Sequence, residues 1–140
     1  MLISTRGRYA LRVMVDLAEH RSEGYIPLKA IADRQEISEK YLESIVVLLV
    51  KAKMLDGVRG KGGGYRLCRT LREYSVGEIL RLTEGELVPV SCQSAASPPC
   101  SRADSCLTRP MWDRLGQLID SFFDGITLAD LVEGGTPEEK

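Results

Sequence analysis

The chain has 140 residues, 44% of them hydrophobic and 28% charged, which is one domain's worth of soluble globular protein with enough apolar residues for a core. No apolar run approaches the ~20 residues of a membrane span. The N-terminal stretch holds Arg6 and Arg8 where a secretory signal needs an apolar region, so a cytoplasmic protein with reduced thiols is expected. The net charge of −1 does not suggest nucleic acid, but residues 1–90 hold 15 Lys and Arg against 12 Asp and Glu, and residues 91–140 hold 4 against 8. A mildly basic front fits DNA contact only weakly, since most such asymmetries are simply solvated surface.

Tyr9, Leu11, Met14, Leu17 and Ala18 recur at helical spacing and predict a first helix over Thr5–His20. Ser22-Glu23-Gly24 breaks it, and Tyr25-Ile26 reads as a short strand. Pro27 suits the first turn of a second helix with Leu28, Ile31 and Ala32 inward. A tight turn follows at Gln35-Glu36-Ile37. Ser38 is then an N-cap, Glu39 an acid in the first turn, and Leu42, Ile45, Val46 and Leu49 the apolar stripe of a third helix. Lys40, Glu43, Ser44, Val47 and Lys51 lie opposite that stripe. This is the helix-turn-helix plan, which many helical proteins also show without binding DNA.

Residues 54–59 read as a strand, Gly60-Lys61-Gly62-Gly63-Gly64 as a turn and Tyr65–Cys68 as a returning strand. A helix-turn-helix followed by a β-hairpin is a winged helix. Arg59 and Lys61 at the tip are placed to meet phosphates or a narrow minor groove. The glycines fit a flexible hairpin too, but not an NTPase phosphate loop, since the spacing and the Ser or Thr after Lys61 are missing. Ser75 with Glu78 predicts a capping box opening a fourth helix over 75–82.

Residues 91–107 are rich in Ser, Ala and Pro and hold Cys92, Cys100 and Cys106. Three thiols in an irregular loop have little packing use. Soft thiolates select iron–sulfur clusters, zinc or copper(I), so a metal site is expected here. Zinc prefers four ligands in close pairs, which C-x7-C-x5-C matches poorly. A thiol–disulfide switch is the remaining alternative. Cys68 at the end of the wing reads as a small buried apolar residue, and His20 as a surface or capping residue. Asp104, in the loop, is an available carboxylate.

A long helix is predicted from Leu107 or Arg109 to Phe123, with Trp112, Leu115, Leu118, Ile119 and Phe122 on one stripe. That stripe either packs on its own domain or joins a second subunit. The second is preferred, because symmetric dimers are the usual way such modules read two half-sites. A short turn over Leu128–Val132 follows, and residues 133–140 read as a disordered tail.

Taken together and in order, these motifs resemble the IscR-type iron–sulfur cluster regulators, a bacterial winged-helix family that includes the nitric-oxide-sensing NsrR type. The resemblance covers residues 1–132. It rests on Thr5-Arg-Gly-Arg-Tyr-Ala10, Ile37-Ser38 with Tyr41-Leu42-Glu43, Val58-Arg59-Gly60 with Gly62-Gly63-Gly64-Tyr65, the three cysteines, Cys106-Leu-Thr108 with Trp112, and Ile126-Thr-Leu128 with Leu131-Val132. It implies a mostly α protein with a small β-hairpin wing: a winged helix-turn-helix over 1–90, a cysteine cluster loop over 91–107, and a dimerisation helix with a terminal helix over 108–132. It also implies a homodimeric transcription factor rather than an enzyme, bound to double-stranded DNA and away from membranes. Its cofactor would be an iron–sulfur cluster on Cys92, Cys100 and Cys106, with 2Fe–2S ahead of 4Fe–4S. Ser38, Tyr41, Glu43 and Arg59 match the family's DNA-contact positions, while Lys40 and Ser44 share the surface but differ from the family pattern. Control of iron–sulfur cluster biogenesis genes is the implied role, and a nitric-oxide- or thiol-sensing repressor of the same fold is the alternative. Three departures stand out. Glu36 replaces a frequent glycine in the helix-turn-helix turn. Arg109 stands where some relatives place a histidine ligand, and Arg8 where the NsrR type places a carboxylate.

Overall fold

The computed structural model describes residues 2–134. Six helices are present among them: α1 (Thr5–Glu19), α2 (Leu28–Gln35), α3 (Glu39–Lys51), α4 (Val76–Glu84), α5 (Arg109–Asp124) and α6 (Leu128–Glu133). Two strands, β1 (Leu55–Val58) and β2 (Gly64–Leu67), pair antiparallel with Leu55 opposite Leu67 and Val58 opposite Gly64. The chain is mostly helical with a small hairpin, as its sequence predicts.

Helix α1 is the axis. Ala10, Val13, Met14 and Leu17 are fully buried on it, and α2, α3, α4, α6 and β2 all pack around it. Leu42, Ile45, Val46 and Leu49 of α3 fill one side of this core, with Ile31 of α2, Leu55 of β1 and Leu128 of α6. Burial of side chains this size stabilises by about 1.5–3 kcal/mol each before the entropy of ordering them is counted. Tyr74 is wholly buried, and its hydroxyl closes the base of the wing. It donates to the Met54 carbonyl at 2.7 Å and accepts from the amides of Cys68 and Arg69 at 3.0 and 3.1 Å. Burial pushes its pKa up to about 12.

The expected strand at Tyr25-Ile26 is a single bridge: Ile26 and Tyr65 exchange both backbone hydrogen bonds at 2.9 Å, anchoring β2 to the chain before α2. Gly64 makes this approach feasible, since a Cβ there would stand 2.2 Å from the Ile26 carbonyl oxygen. Gly7 plays a similar part in α1. A Cβ would meet the Glu84 carboxylate at 2.4 Å, and that carboxylate accepts the Ser4 amide and hydroxyl at the start of the helix.

Three expectations are corrected. Ser75 does cap α4 by accepting the Glu78 amide, but there is no capping box, because the Glu78 carboxylate is taken by Arg69 at 2.9 and 3.0 Å. Cys68 is exposed rather than buried. It lies beyond the last residue of β2, and its thiol donates to the Lys53 carbonyl at 3.2 Å. Residues 133 and 134, expected in a disordered tail, are ordered at the end of α6. Glu133 ends α6 and lies 3.6 Å from Arg72, and Gly134 caps the helix in the left-handed conformation. Residues 135–140 lie outside the described residues.

Candidate nucleic-acid interface and cysteine loop

Helix α3 begins where the Ser38 hydroxyl accepts the Tyr41 amide at 3.0 Å. The cap leaves the Ser38 O–H free to donate outward. Ser44 is arranged the other way: its hydroxyl donates to the Tyr41 carbonyl at 2.8 Å, so it faces outward as an acceptor. Lys40, Tyr41, Glu43, Ser44, Val47 and Lys51 are all exposed on the face opposite the buried stripe. On the wing, Arg59 and Lys61 are exposed, and among the described residues neither has a hydrogen-bond or ion-pair partner. Arg66, by contrast, is held over the Tyr25 ring at 4.4 Å and near Asp56 at 3.8 Å. Free cations therefore stand at the wing tip and along α3. A groove between α3 and the wing is lined by Val47, Val50, Lys51, Val58, Arg59 and Tyr65.

How α3 is held was not visible in the sequence. Asp16 on α1 is 1% exposed, yet it carries a carboxylate. Arg34, from the last turn of α2, grips it with both nitrogens at 3.0 and 2.7 Å, and Gln35 donates at 2.9 Å. Burial alone would raise the Asp16 pKa, but the hydrogen bonds from Arg34 and Gln35 and the charge of Arg34 outweigh it and hold the carboxyl below its ordinary value. Arg12 adds hydrogen bonds to the Gln35 side chain and carbonyl, and also lies over the Tyr9 ring, which meets Tyr41 edge-on at 5.6 Å. Polar contacts thus tie the end of α2 to α1, and an aromatic contact from Tyr9 of α1 meets the exposed start of α3. An Asp followed by Arg and Gln at 18 and 19 residues was the only trace of this, and spacing of that length carries no helical period. His20 proves to be a capping residue at the end of α1, its Nδ1 lying 2.8 Å from the Asp16 carbonyl.

Between Gly85 and Thr108 the chain has no long element, only a 3-10 turn at Ser91–Gln93 and further turns. Cys92 and Cys100 are exposed, Cys106 is half-buried, and all three are free. Among the described residues no three His, Cys, Asp or Glu side chains are gathered closely enough to hold a metal ion. The donor set nevertheless fits an iron–sulfur cluster in kind, with three soft sulfurs on one irregular loop. The Thr108 hydroxyl, 3.3 Å from the Cys106 sulfur, holds that thiol below its ordinary pKa together with the amides of Thr108 and Arg109, which favours the ligating thiolate. The two arginines that occupy the family's fourth-ligand positions are engaged elsewhere: Arg109 lies 3.9 Å from Asp113, and Arg8 donates to Thr5. Asp104 is exposed within the loop.

The loop is tied to α5 at one point. Gln93, next to Cys92, donates to Asp113 at 3.1 Å and lies across Gly116. Its own side-chain oxygen is buried and has no hydrogen-bond partner among the described residues, an arrangement that costs about 1–3 kcal/mol. Helix α5 has no buried residue. Its predicted stripe divides: Ile119, together with Phe123, packs on Val76, Leu80, Leu87 and Ile126, Trp112 is half-buried, and Leu115, Leu118 and Phe122 are exposed alongside Met111. Arg81 of α4 clamps the far end through Asp120 and Asp124.

Comparison with known proteins places this geometry in a family. The Rrf2 family, described as iron-dependent transcriptional regulators, matches residues 3–134. The chain is 39% identical over 132 residues to the HTH-type transcriptional regulator IscR of Serratia proteamaculans, covering 94% of this chain and 79% of that protein. It superposes on T. potens IscR with a TM-score of 0.75 at 38% identity, covering 95% of this chain and 87% of that one. On CymR, the global cysteine regulator of B. subtilis, the TM-score is 0.79 at 34% identity, covering 95% and 97%. No helix among the described residues is long and apolar enough to cross a membrane. The chain belongs to the Rrf2 family as an IscR-like transcriptional regulator of the winged-helix type, not an enzyme.

Proposed function

We propose that this regulator binds double-stranded DNA as a homodimer and that an iron–sulfur cluster on Cys92, Cys100 and Cys106 controls its affinity, governing iron–sulfur cluster biogenesis genes. The observation that carries the DNA reading is the outward face of α3, capped at Ser38, beside a wing whose Arg59 and Lys61 are unpaired among the described residues. Lys40, Lys61 and Arg59 meet phosphates, which supply affinity. Glu43 accepts a hydrogen bond from cytosine and repels phosphate, which supplies choice, and Ser38, Tyr41 and Ser44 surround it. The exposed stripe Met111, Leu115, Leu118 and Phe122 has the alternating four- and three-residue spacing of a helix-pairing seam, and it supports dimerisation through α5.

The names of the IscR relatives and the three free thiols support the cluster, with the 2Fe–2S form preferred. A bound cluster supplies a centre that iron limitation, oxygen or nitric oxide can remove. The chain's own residues carry the consequence: Cys92 is joined through Gln93 to Asp113 of α5, so reordering the 91–107 loop bears on the dimer helix and hence on the spacing of the two α3 helices. A coupling of about 1–3 kcal/mol is typical of such linkage and changes affinity about 5- to 150-fold. The test is a DNA titration of anaerobically purified protein with matched iron and sulfide counts, before and after cluster removal. At least a fivefold change at some sites is expected, and equal affinity everywhere rejects cluster control. The lowered Cys106 pKa favours one second reading, a thiol or nitric-oxide sensor of the same fold. An affinity change on oxidising the metal-free protein would select it. In the same assay Arg59→Ala weakens binding to all sequences, whereas Glu43→Ala relaxes site choice.

A further inference from the structure

Lys40, Ser44, Val47 and Lys51 follow one another along the outer face of α3 at steps of four, three and four residues, with Glu43 beside Ser44. Four of the five are polar and Val47 is not. It is 49% exposed, while the core takes Leu42, Ile45, Val46 and Leu49 from the same helix, so packing does not account for it. A β-branched residue is not chosen for helix propensity either. Val47 lies on the groove toward the wing, where Val50, Val58 and Tyr65 are apolar neighbours and Lys51 and Arg59 are the cations. Val58 is itself 47% exposed, so the apolar spot is continuous and open between two positive charges.

A polyanion with an apolar feature fits this combination. The cations suit phosphates, and the valine methyl groups gain nothing from phosphate but do gain from another methyl group. In the major groove of DNA the methyl-bearing base is thymine, through its C5-methyl. We propose that Val47 reads a thymine by contact with that methyl group and is a specificity-determining residue beside Glu43. The inference rests on the reading of α3 as the helix that enters the major groove. Val47 is four residues, about 6 Å along the helix axis, beyond Glu43. Base steps are about 3.4 Å apart, so the thymine lies one or two steps from the base Glu43 reads.

Deoxyuridine differs from thymidine only in lacking this methyl group. A preferred duplex is first selected in vitro from a random pool by the full chain. Each thymine is then replaced in turn by deoxyuridine, and dissociation constants are measured for the wild type and for Val47→Ala. Because Val47 is exposed, the variant folds. The wild type should lose about fourfold in affinity at one thymine per half-site, the worth of one buried methyl-sized group. Val47→Ala should bind the thymine and deoxyuridine duplexes equally at that position. Indifference of the wild type to every replacement overturns the proposal, as does an equal fourfold loss in Val47→Ala. If no duplex is enriched at all, the DNA-reading role of α3 falls, and this inference falls with it.

Discussion

Helices α3 and α5 both carry a long apolar stripe, and the chain treats the two stripes differently. All four stripe residues of α3 are buried against α1, so its polar face is left for solvent or a ligand. The 16 residues of α5 include none that is buried, and Met111, Leu115, Leu118 and Phe122 stay open although Ile119 and Phe123 rest on α4 and its neighbours. The winged-helix half closes its own core and pairs a buried carboxylate, leaving only single apolar side chains such as Val47 and Val58 open. The α5 and cysteine-loop half is unfinished in one chain: its apolar seam is uncovered, its thiols are free, and Gln93 keeps a buried oxygen without a partner. This division fits the proposed function, in which one half reads DNA and the other is where a partner or cofactor acts.

If the winged-helix half is self-contained, its internal tie should be costly to cut. Asp16→Ala leaves Arg34 and Gln35 facing a site built for a carboxylate. About 3 kcal/mol should be lost, the low end for breaking a buried pair because Arg34 is a third exposed. A shift of the urea midpoint without a change in slope reads this out. The same tie sets an acid limit. The folded Asp16 pKa is depressed, so its stabilisation is complete above the ordinary carboxylate value of about 4 and is lost as pH falls through the lower folded value. A variant whose stability matches the wild type, with the same acid profile, would show that α2 is held by apolar packing alone.

The unfinished half should respond in association rather than in folding. Leu118 is 48% exposed in the single chain, so Leu118→Glu costs the monomer little, whereas a charge set in a paired seam opposes dimerisation. Sedimentation should show the dimer dissociation constant rising at least a hundredfold, equivalent to about 2.8 kcal/mol. Loss of folded monomer with association unchanged would mean that the seam serves its own chain.

The same contrast explains what the sequence disclosed. Periodicity located α1, α2, α3 and α5, a capping signal located α4, and the glycines of the wing located the hairpin, while α6 was legible only as a short turn. The Ser38 cap was legible because it is local. The Asp16–Arg34 pair was not, since 18 residues separate the partners and only tertiary folding joins them. Glu78 misled for a related reason: its spacing from Ser75 fits a capping box, but a guanidinium nine residues earlier competes successfully for the carboxylate. The α5 stripe was visible as one band, yet sequence carries no mark of which edge of it meets α4. For the cysteine loop, residue type suggested the chemistry, while placement depends on what the loop encloses.

The smallest test concerns one residue of the reading half. Glu36 ends α2 in the left-handed conformation, φ 55 and ψ 44, and the amides of both Glu36 and Ile37 reach back to the Ala32 carbonyl. Its exposed side chain makes no hydrogen bond among the described residues, so the position asks only for a backbone that tolerates positive φ. Holding a residue with a Cβ there costs about 1–2 kcal/mol. Glycine avoids that cost but gives back about 0.5–1 kcal/mol through the freedom of its unfolded chain. Glu36→Gly should therefore raise stability by about 0.5–1 kcal/mol in urea titration, without moving the dimer constant, because the turn lies wholly within the self-sufficient half. A decrease would mean that the carboxylate contributes something the turn geometry does not show. A change in dimer affinity would mean that the two halves are coupled even without a cluster, and the division between them would then be one of degree.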